Sequence, residues 1–590
     1  MVYSIVDLSL HKLWSNLLNR SRIRYMLCFI WLGLYSGQLF AQDLTKIAQQ
    51  KPFAFQGNLE LRGMFYGASG IPNRLEPVNY LINGSPTFTF YGWSVPTNFT
   101  ISKKETTFQQ PFNQFGLSPT YKWITLHAGY RNINFSPYTL AGHTILGGGI
   151  ELTPGKLRFG MMYGRLNRAT VIDTSSMSLV PFSFSRKGIA LKIGYGTANN
   201  FFDLNILHAK DDSTTNPDGL TFVGNRVTPA ANSVLSYGTR ITVFRNFFIE
   251  SDAAISLLTR DINSRLSLDS IEDKTLRQLS NLLDINGTSE WFLAFSAGGG
   301  YRAKDYAVKV NYRRVEPGFT SMGAYYFTND IENLTIAPSY NHPKGYIRFQ
   351  GNVGLEQDNV RLQKESTSRR WIASANLSSD VTKQLGIDVQ FSNYSNNQKP
   401  NTLRFADSLK IVQTTRTLGI VPRYTISNED AVHLILLSAN FNAMNDYNSY
   451  FDNTGNAPSR DINSTQYLLN YTLSLLKNHA TVNSNLSYTH LNSQAIKNSY
   501  KGIGVGGTYV LLNNKMTTGF NMNYLLGEAN ANKSNIFNSS FNLAFKLNKL
   551  QAIRAMVYFT NNNPGSVITG GQPAFTETRG EIAYQLNFGL

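Results

Sequence analysis

Strict alternation of apolar and polar residues is the feature that most constrains the fold of this chain. At 579–590 the sequence reads RGEIAYQLNFGL, where every second residue from Ile582 to Leu590 is apolar or aromatic. Successive side chains point to opposite faces of a β-strand, so such a segment shows one face to an apolar environment and the other to a polar one. YAVKVNYRR at 306–314 and GIDVQFSNY at 386–394 repeat the pattern. The alternation therefore predicts an all-β protein.

The connections between these segments are alternately short and long. TPGK at 153–156, ANN at 198–200 and NED at 428–430 are short, whereas others run to roughly ten to thirty polar residues. Short turns at one end and long loops at the other are typical of a transmembrane up-and-down antiparallel β-barrel, with short periplasmic turns and long extracellular loops. A soluble β-sandwich or propeller is the rival, but its connections are more uniform, and no blade-like repeat occurs here.

The number of strands follows from counting these segments. The count is 25, and bacterial single-chain barrels have even numbers. The surplus lies between Pro86 and Pro119, where Pro96 and Pro111 interrupt the pattern and proline removes a ladder donor. Treating this region as one membrane strand plus a segment that bends into the lumen or rim predicts about 24 strands, within a range of 22–26.

The last strand is expected to pair with the segment at 57–67, because an open sheet edge is not stable in lipid. Outer-membrane proteins in general carry an assembly signal in such a terminal strand. By that resemblance the signal residues are Tyr584, Leu586, Phe588 and Leu590.

The N-terminal segment predicts export. Arg20, Arg22 and Arg24 precede an apolar run from Met26 to about Leu34, and small and polar residues follow to Ala41. We therefore expect a signal peptide at 1–41, a short periplasmic segment at 42–56 and the barrel at 57–590. The apolar run is too short for a membrane anchor. The chain's one cysteine, Cys28, lies in this predicted signal, so the exported fold is expected to have no disulfides.

Basic residues outnumber acidic ones by 54 to 37, and many of them fall on the polar face of the alternation. The predicted pore-lining residues are Arg62, Arg131, Arg158, Lys192, Arg240, Lys309, Arg313, Arg348 and Arg554. A lumen with excess cations lowers the barrier for anions. In the alternative interpretation, these basic side chains pair with loop carboxylates or only keep the lumen wall hydrated. They are dispersed, which disfavours nucleic acid as a partner.

Two connections carry unusual sequences. NINFSPYTLAGH at 132–143 is rich in aromatic and small residues. It either folds inward and narrows the pore, with Tyr138 and His143 as constriction candidates, or packs as a loop under the barrel rim. At 267–284 the apolar residues follow a helical period, which predicts a loop helix that rests on the lumen, another loop or a partner.

No pattern in the chain indicates catalysis. Its histidines have neither metal-ligand nor nucleophile spacing, and neither G-x-S-x-G nor H-E-x-x-H occurs. DNTGN at 452–456 is too short for a calcium loop. We expect no enzymatic activity, no metal and no cofactor.

The stretch 112–167, from FNQFGLSPTYKW to MMYGRLN, resembles large uncharacterised outer-membrane β-barrel proteins of the Bacteroidota that lack a TonB plug domain. The resemblance is specific over this stretch and elsewhere extends only to the barrel pattern. It implies the fold and an integral outer-membrane location, with lipid, lipopolysaccharide and the outer-membrane assembly machinery as partners. A TonB-dependent transporter is disfavoured, because about fifteen residues separate Gln42 from Gly57.

Three functions remain open for such a barrel. The first is a porin-like channel that passes solutes and favours anions. The second is a barrel subunit of a macromolecular export or outer-membrane assembly complex, in which a lipoprotein or periplasmic partner fills the pore. The third is a surface receptor or scaffold with a blocked lumen.

Overall fold

A computed structural model describes residues 52–103, 114–170, 183–215, 221–222, 225–226, 228–264, 280, 283–324, 328–400, 411–448, 461–493, 497–529, 532–565 and 573–589. The predicted signal peptide at 1–41 lies outside these residues, as do Leu590 and nearly all of the predicted loop helix. The first strand begins at Phe53, within the segment that the sequence assigns to the periplasm.

Twenty-six antiparallel strands form the wall of a closed barrel, and each strand pairs with the next along the chain. Two of them are interrupted and have two parts each. In chain order the wall strands are Phe53–Ser69, Val78–Gly84 with Thr87–Phe90, Trp93–Ser102, Gln114–Leu117 with Thr120–Tyr121, Ile124–Asn132, Thr144–Leu152, Leu157–Asn167, Ser185–Gly196, Phe201–Asp212, Ala231–Val243, Phe247–Thr259, Ser289–Arg302, Tyr306–Val315, Ile331–Asn341, Ile347–Gln357, Ser366–Asp380, Leu385–Pro400, Ile411–Ser427, Ala431–Asn448, Ile462–Leu475, Ala480–Ser493, Lys497–Leu511, Met516–Ala529, Asn532–Lys546, Gln551–Pro564 and Phe575–Phe588.

Two small pairings lie outside the wall. Thr221–Phe222 pairs with Asn225–Arg226 in an antiparallel hairpin, and Leu140–Ala141 pairs with Gly323–Ala324 in parallel. Chain contacts group Phe53 with Phe90–Gly92 in a small unit among the described residues. Within the described part of the small unit the Phe53 and Phe90 rings lie 5.3 Å apart.

The first and last strands close the barrel. Their antiparallel pairing runs without interruption from Gly57 opposite Phe588 to Ser69 opposite Thr576. Closure removes the sheet edge that lipid cannot satisfy with hydrogen bonds. The predicted pairing of the terminal strand with the segment at 57–67 is confirmed.

The strand number corrects the prediction of about 24. The described residues between Pro86 and Ser102 belong to wall strands and the turn that joins them, so no segment bends into the lumen there. Proline lacks an amide hydrogen but keeps a carbonyl acceptor. The carbonyl of Pro86 accepts from Thr97 N at 2.8 Å, that of Pro96 from Ser118 N at 3.0 Å, and that of Pro119 from Leu126 N at 2.8 Å. The ladder therefore continues past each proline through its carbonyl oxygen.

Alternate side chains of the wall form a broad exposed apolar surface. In the strand Phe201–Asp212, Phe202, Leu204 and Ile206 are each about half exposed, whereas the residues between them are buried. Trp291, Ile249 and Val353 continue this surface around the barrel. An exposed apolar band of this extent is stable against lipid rather than water. Among the described residues no helix is long and apolar enough to span a membrane.

The two ends of the barrel differ in their connections. At one end the strands are joined by short turns, such as 244–246, 303–305 and 428–430. At the other end most connections are longer, such as 168–184 and 316–330. We call these the short-turn end and the long-loop end.

Candidate functional site

Two connections from the long-loop end fold onto the wall. Residues 133–143 and 316–324, here called the inner segments, place Tyr138, Leu140, Phe319 and Met322 in one buried apolar cluster. The wall residues of that cluster come from nine strands, from Thr144–Leu152 to Ile331–Asn341; among them are Met162, Leu207, Val234, Ala254, Phe292 and Val315. Neighbouring strands lie about 4.8 Å apart. A short segment can reach so many strands together only from the concave side, so the inner segments lie inside the lumen.

Hydrogen bonds hold the inner segments to each other and to the wall. Ser321 Oγ donates to Thr139 O at 2.6 Å, beside the parallel pairing of Leu140 with Gly323. The buried Asn232 side chain accepts from Met322 N at 3.0 Å and donates to Ser256 Oγ at 2.8 Å. Asn232 therefore anchors the second inner segment to the barrel.

The local sequence explains why residues 133–143 leave the wall. Ser136 O accepts from Thr139 N at 3.2 Å, with Pro137 between them, and Phe135 N donates to Leu140 O at 2.8 Å. These bonds make a tight reversal, and Pro137 fixes one backbone angle within it. The reversal turns the aromatic and small side chains toward the apolar wall positions rather than toward water.

The two constriction candidates lie within this packed cluster. Tyr138 is 3% exposed, and its ring meets Phe319 edge-on at 5.9 Å. His143 is 0% exposed, and its Nδ1 lies 3.0 Å from Thr144 O. Burial raises the pKa of the Tyr138 hydroxyl, and burial with a smaller contribution from nearby Arg186 lowers the pKa of His143 to about 4. Both side chains pack within the inner segments and are not exposed to the open part of the lumen.

A loop at the long-loop end forms ion pairs with the connection that contains the second inner segment. Arg361 of loop 358–365 pairs with the buried Glu316 at 2.6 Å, and Glu316 also accepts from Leu293 N at 2.8 Å. Lys364 pairs with Asp330 at 2.5 Å, and its hydrogen bond to that carboxylate raises the pKa of Lys364. The rim thus adds ion pairs on top of the apolar cluster.

The nine predicted pore-lining cations all occupy the face of the wall opposite the exposed apolar band. Five of them have polar partners: Arg62 with Glu60 and Glu581, Arg131 with Asn98, Arg158 with Asp203, and Arg240 and Lys309 with Glu250. The Arg158 pair is bidentate, at 2.8 and 2.9 Å, and Asp203 is buried. Four of the nine cations, all but Arg131 of these five, therefore pair with carboxylates inside the wall.

The other four cations, Lys192, Arg313, Arg348 and Arg554, have no carboxylate within 4.0 Å among the described residues. Lys192 lies 5.0 Å from the Phe135 ring centre of the first inner segment, so it supports that segment. Arg348 and Arg554 are exposed to the lumen. These two are the cations best placed to act on a passing solute.

Sequence reasoning missed the second inner segment and its anchor Asn232. The signal that marks it is PGFTSMGA at 317–324, which mixes small and apolar residues as NINFSPYTLAGH does. The predicted helix at 267–284 lies outside the described residues except for Ser280 and 283–284. Tyr584, Leu586 and Phe588 lie in the closing seam, and their role as an assembly signal stays a prediction.

Within the described part of the chain, no group of three or more His, Cys, Asp or Glu side chains is arranged to hold a metal ion. No family model matches the sequence, and no curated protein matches it.

Solved structures with similar folds are distant. The P pilus usher (PapC) translocation pore is 10% identical over 90% of this chain and 99% of its own, with a TM-score of 0.35. The copper transporter OprC is 8% identical over 91% of this chain and 81% of its own, with a TM-score of 0.38. Acinetobacter baumannii OccAB3 is 11% identical over 68% of this chain and 99% of its own, with a TM-score of 0.28. At scores this low, the description of the barrel rests on its own strand pairing.

Proposed function

We propose that this protein is an outer-membrane channel for small hydrophilic solutes, whose lumen is narrowed from one side by the inner segments. The apolar outer face supports insertion in a membrane, and closed barrels with alternating lipid-facing and lumen-facing residues are the β-structures that span one. The predicted signal peptide supports export to the outer membrane.

The observation that carries the proposal is the unequal covering of the lumen wall. Wall positions under the inner segments, such as Leu207 and Val234, are fully buried. Lumen-facing Tyr394 and Tyr558, elsewhere around the barrel, are each 41% exposed. A 26-stranded wall encloses more space than the barrels of porins. Two short segments on one side therefore leave a path beside them.

The charge of that path supports a modest preference for anions. Arg348 and Arg554 are exposed to the lumen without an ion-pair partner among the described residues, whereas Asp203 and Glu250 are neutralised by cations. An uncompensated guanidinium attracts anions most strongly at low ionic strength, because salt screens the field.

The test is conductance of the purified protein in planar bilayers. We expect steady conductance, and a larger unit conductance when residues 134–142 are replaced by a short Gly-Ser linker. Lys383→Gln, in the short turn 381–384, is the matched control and should conduct as the wild type does. A silent bilayer would overturn the channel and favour a barrel filled by a partner. An unchanged conductance in the linker variant would overturn the narrowing role of the inner segments.

A further inference from the structure

One level of the lumen wall is built from amide side chains. Gln350 registers with Asn376, Asn376 with Gln390, and Gln390 with Gly419 on the next strand. Gly419 registers with Asn440, and Asn440 with Gln466. We call the five amide residues, Gln350, Asn376, Gln390, Asn440 and Gln466, the amide row. The row crosses six adjacent strands, and Gly419 occupies the one position in it that has no side chain.

The amides of this row are free to bind. Gln350, Asn376, Gln390 and Gln466 are exposed, and none of the four makes a side-chain hydrogen bond within the described residues. Asn440 donates from Nδ2 to Ser438 Oγ at 3.0 Å, which leaves its oxygen available. Exposed polar groups on a lumen wall are ordinarily hydrated, and a ligand must replace that water with equivalent bonds.

Gly419 makes a recess in the row. A side chain there would begin 2.9 Å from Asn440 Oδ1 and 3.8 Å from the Gln390 side chain. A cavity lies over this position, and its lining includes Gln350, Asn376, Gln390 and Asn440 together with the charged residues Arg348 and Asp388. Its volume is about 310 Å³. This size lies at the lower end of small-molecule sites.

The chemistry of the recess selects for uncharged hydroxyl groups. Each amide presents two donor hydrogens and one acceptor oxygen, and a hydroxyl group is likewise both donor and acceptor. The two charged residues of the lining are opposite in sign, and Asp388 is paired with Arg423 at 3.6 Å. The five amides of the row are themselves neutral, so a polyhydroxylated solute can satisfy several of them along neighbouring strands.

We propose that the amide row is a binding site for neutral saccharides in transit through the lumen. The proposal rests on the channel function and names its solute class. Strands lie about 4.8 Å apart, so the row offers regularly spaced amides along which successive sugar hydroxyls exchange partners. Weak, repeated bonds of this kind permit both entry and release.

The test uses two measurements with maltotriose on the full-length protein. Calorimetric titration of the detergent-solubilised protein should show saturable binding at millimolar concentration. The same sugar should reversibly reduce the current through single channels. Gly419→Gln fills the recess, and Asn376→Leu with Gln390→Leu removes central amides. Each change should weaken binding at least tenfold while current without sugar persists. Asn521→Leu, a lumen-facing amide on the strand Met516–Ala529, is the control and should bind as the wild type does.

The outcomes separate the two proposals. Conductance without sugar binding would overturn the saccharide site and leave the channel standing. Sugar binding that Asn521→Leu weakens as much as Gly419→Gln would also overturn the site, because the amides of the row would have no special role. Calorimetric binding at the row in a protein that does not conduct would overturn the channel and the transit of sugars, and would leave the row as a saccharide-binding site. Tighter binding of glucose 6-phosphate than of maltotriose would overturn the assignment to neutral sugars.

Discussion

Acidification should loosen the inner segments through His143. This residue is fully buried among them, and its pKa in the folded protein is about 4. An unperturbed histidine has a pKa of about 6.5. The folded state therefore binds the proton less readily than the open state does. The stability that the neutral imidazole contributes is complete above pH 6.5 and is lost as the pH falls toward 4.

The size of the effect follows from the two pKa values. At pH 5 the difference between them destabilises the packed inner segments by about 2 kcal/mol, which corresponds to roughly thirtyfold more frequent opening. The barrel wall itself is not affected, because His143 belongs to a connection between strands.

Thiol labelling at a buried position of the inner segments measures this opening. Ala324→Cys places a thiol where the native side chain is 3% exposed, in a Cys28→Ser background that removes the chain's one cysteine. The maleimide labelling rate is compared with that of the same protein carrying His143→Gln, which cancels the reagent's own pH dependence. The ratio of the two rates should rise about thirtyfold between pH 7.5 and pH 5. A ratio that stays constant over this range would refute the role of His143.

Four further changes test other parts of the structure. Asn232→Leu removes the acceptor of Met322 N and should lower the free energy needed to open the inner segments by about 3 kcal/mol. The measurement is faster maleimide labelling of the Ala324→Cys protein at neutral pH. Arg158→Gln leaves the buried Asp203 without its cation and should lower the free energy of unfolding by about 3–5 kcal/mol, seen as loss of the folded band on gels at a lower temperature. Arg348→Gln with Arg554→Gln should leave that temperature unchanged and should reduce the chloride preference, measured as a reversal potential at low salt. Phe588→Asp, in the closing seam, should impair assembly measured by heat-resistant gel mobility, at up to a few kcal/mol, and Asn587→Asp on the lumen face should not; equal behaviour of the two would contradict the face assignment. Deletion of residues 1–41 should leave the protein aggregated in the cytoplasm, and a soluble folded form would contradict the membrane barrel.

The barrel could be predicted from the sequence because alternation is a local property. Each strand carries its own lipid and lumen faces: Leu61 lies between the polar residues Glu60 and Arg62 in the sequence, and the structure exposes its side chain. The strand number was harder to obtain, because the rule that proline interrupts a ladder ignores its carbonyl. Pro96 lies inside the wall strand Trp93–Ser102 and still accepts a hydrogen bond from the neighbouring strand.

The lumen was predicted less completely, since its contacts join residues that are distant in sequence. The alternation placed Arg158 on the lumen face, but its pairing with Asp203 depends on the register across two neighbouring strands. The segment 132–143 was singled out by composition, with inward folding and packing as competing interpretations; the structure shows an inner segment that is both inside the lumen and packed. Its contact with Ser321 spans 182 residues, and neither local sequence identifies the other as its partner.

The closing seam has a consequence for how the chain is made. Nearly every other strand pairs with a neighbour that follows within a short connection, whereas Tyr66 and its seam partner Glu577 are 511 residues apart. Ribosomes add about 5–20 residues per second, so the partner of the first strand appears roughly half a minute to two minutes later. During that interval the first strand has a free edge that invites pairing with any other extended chain.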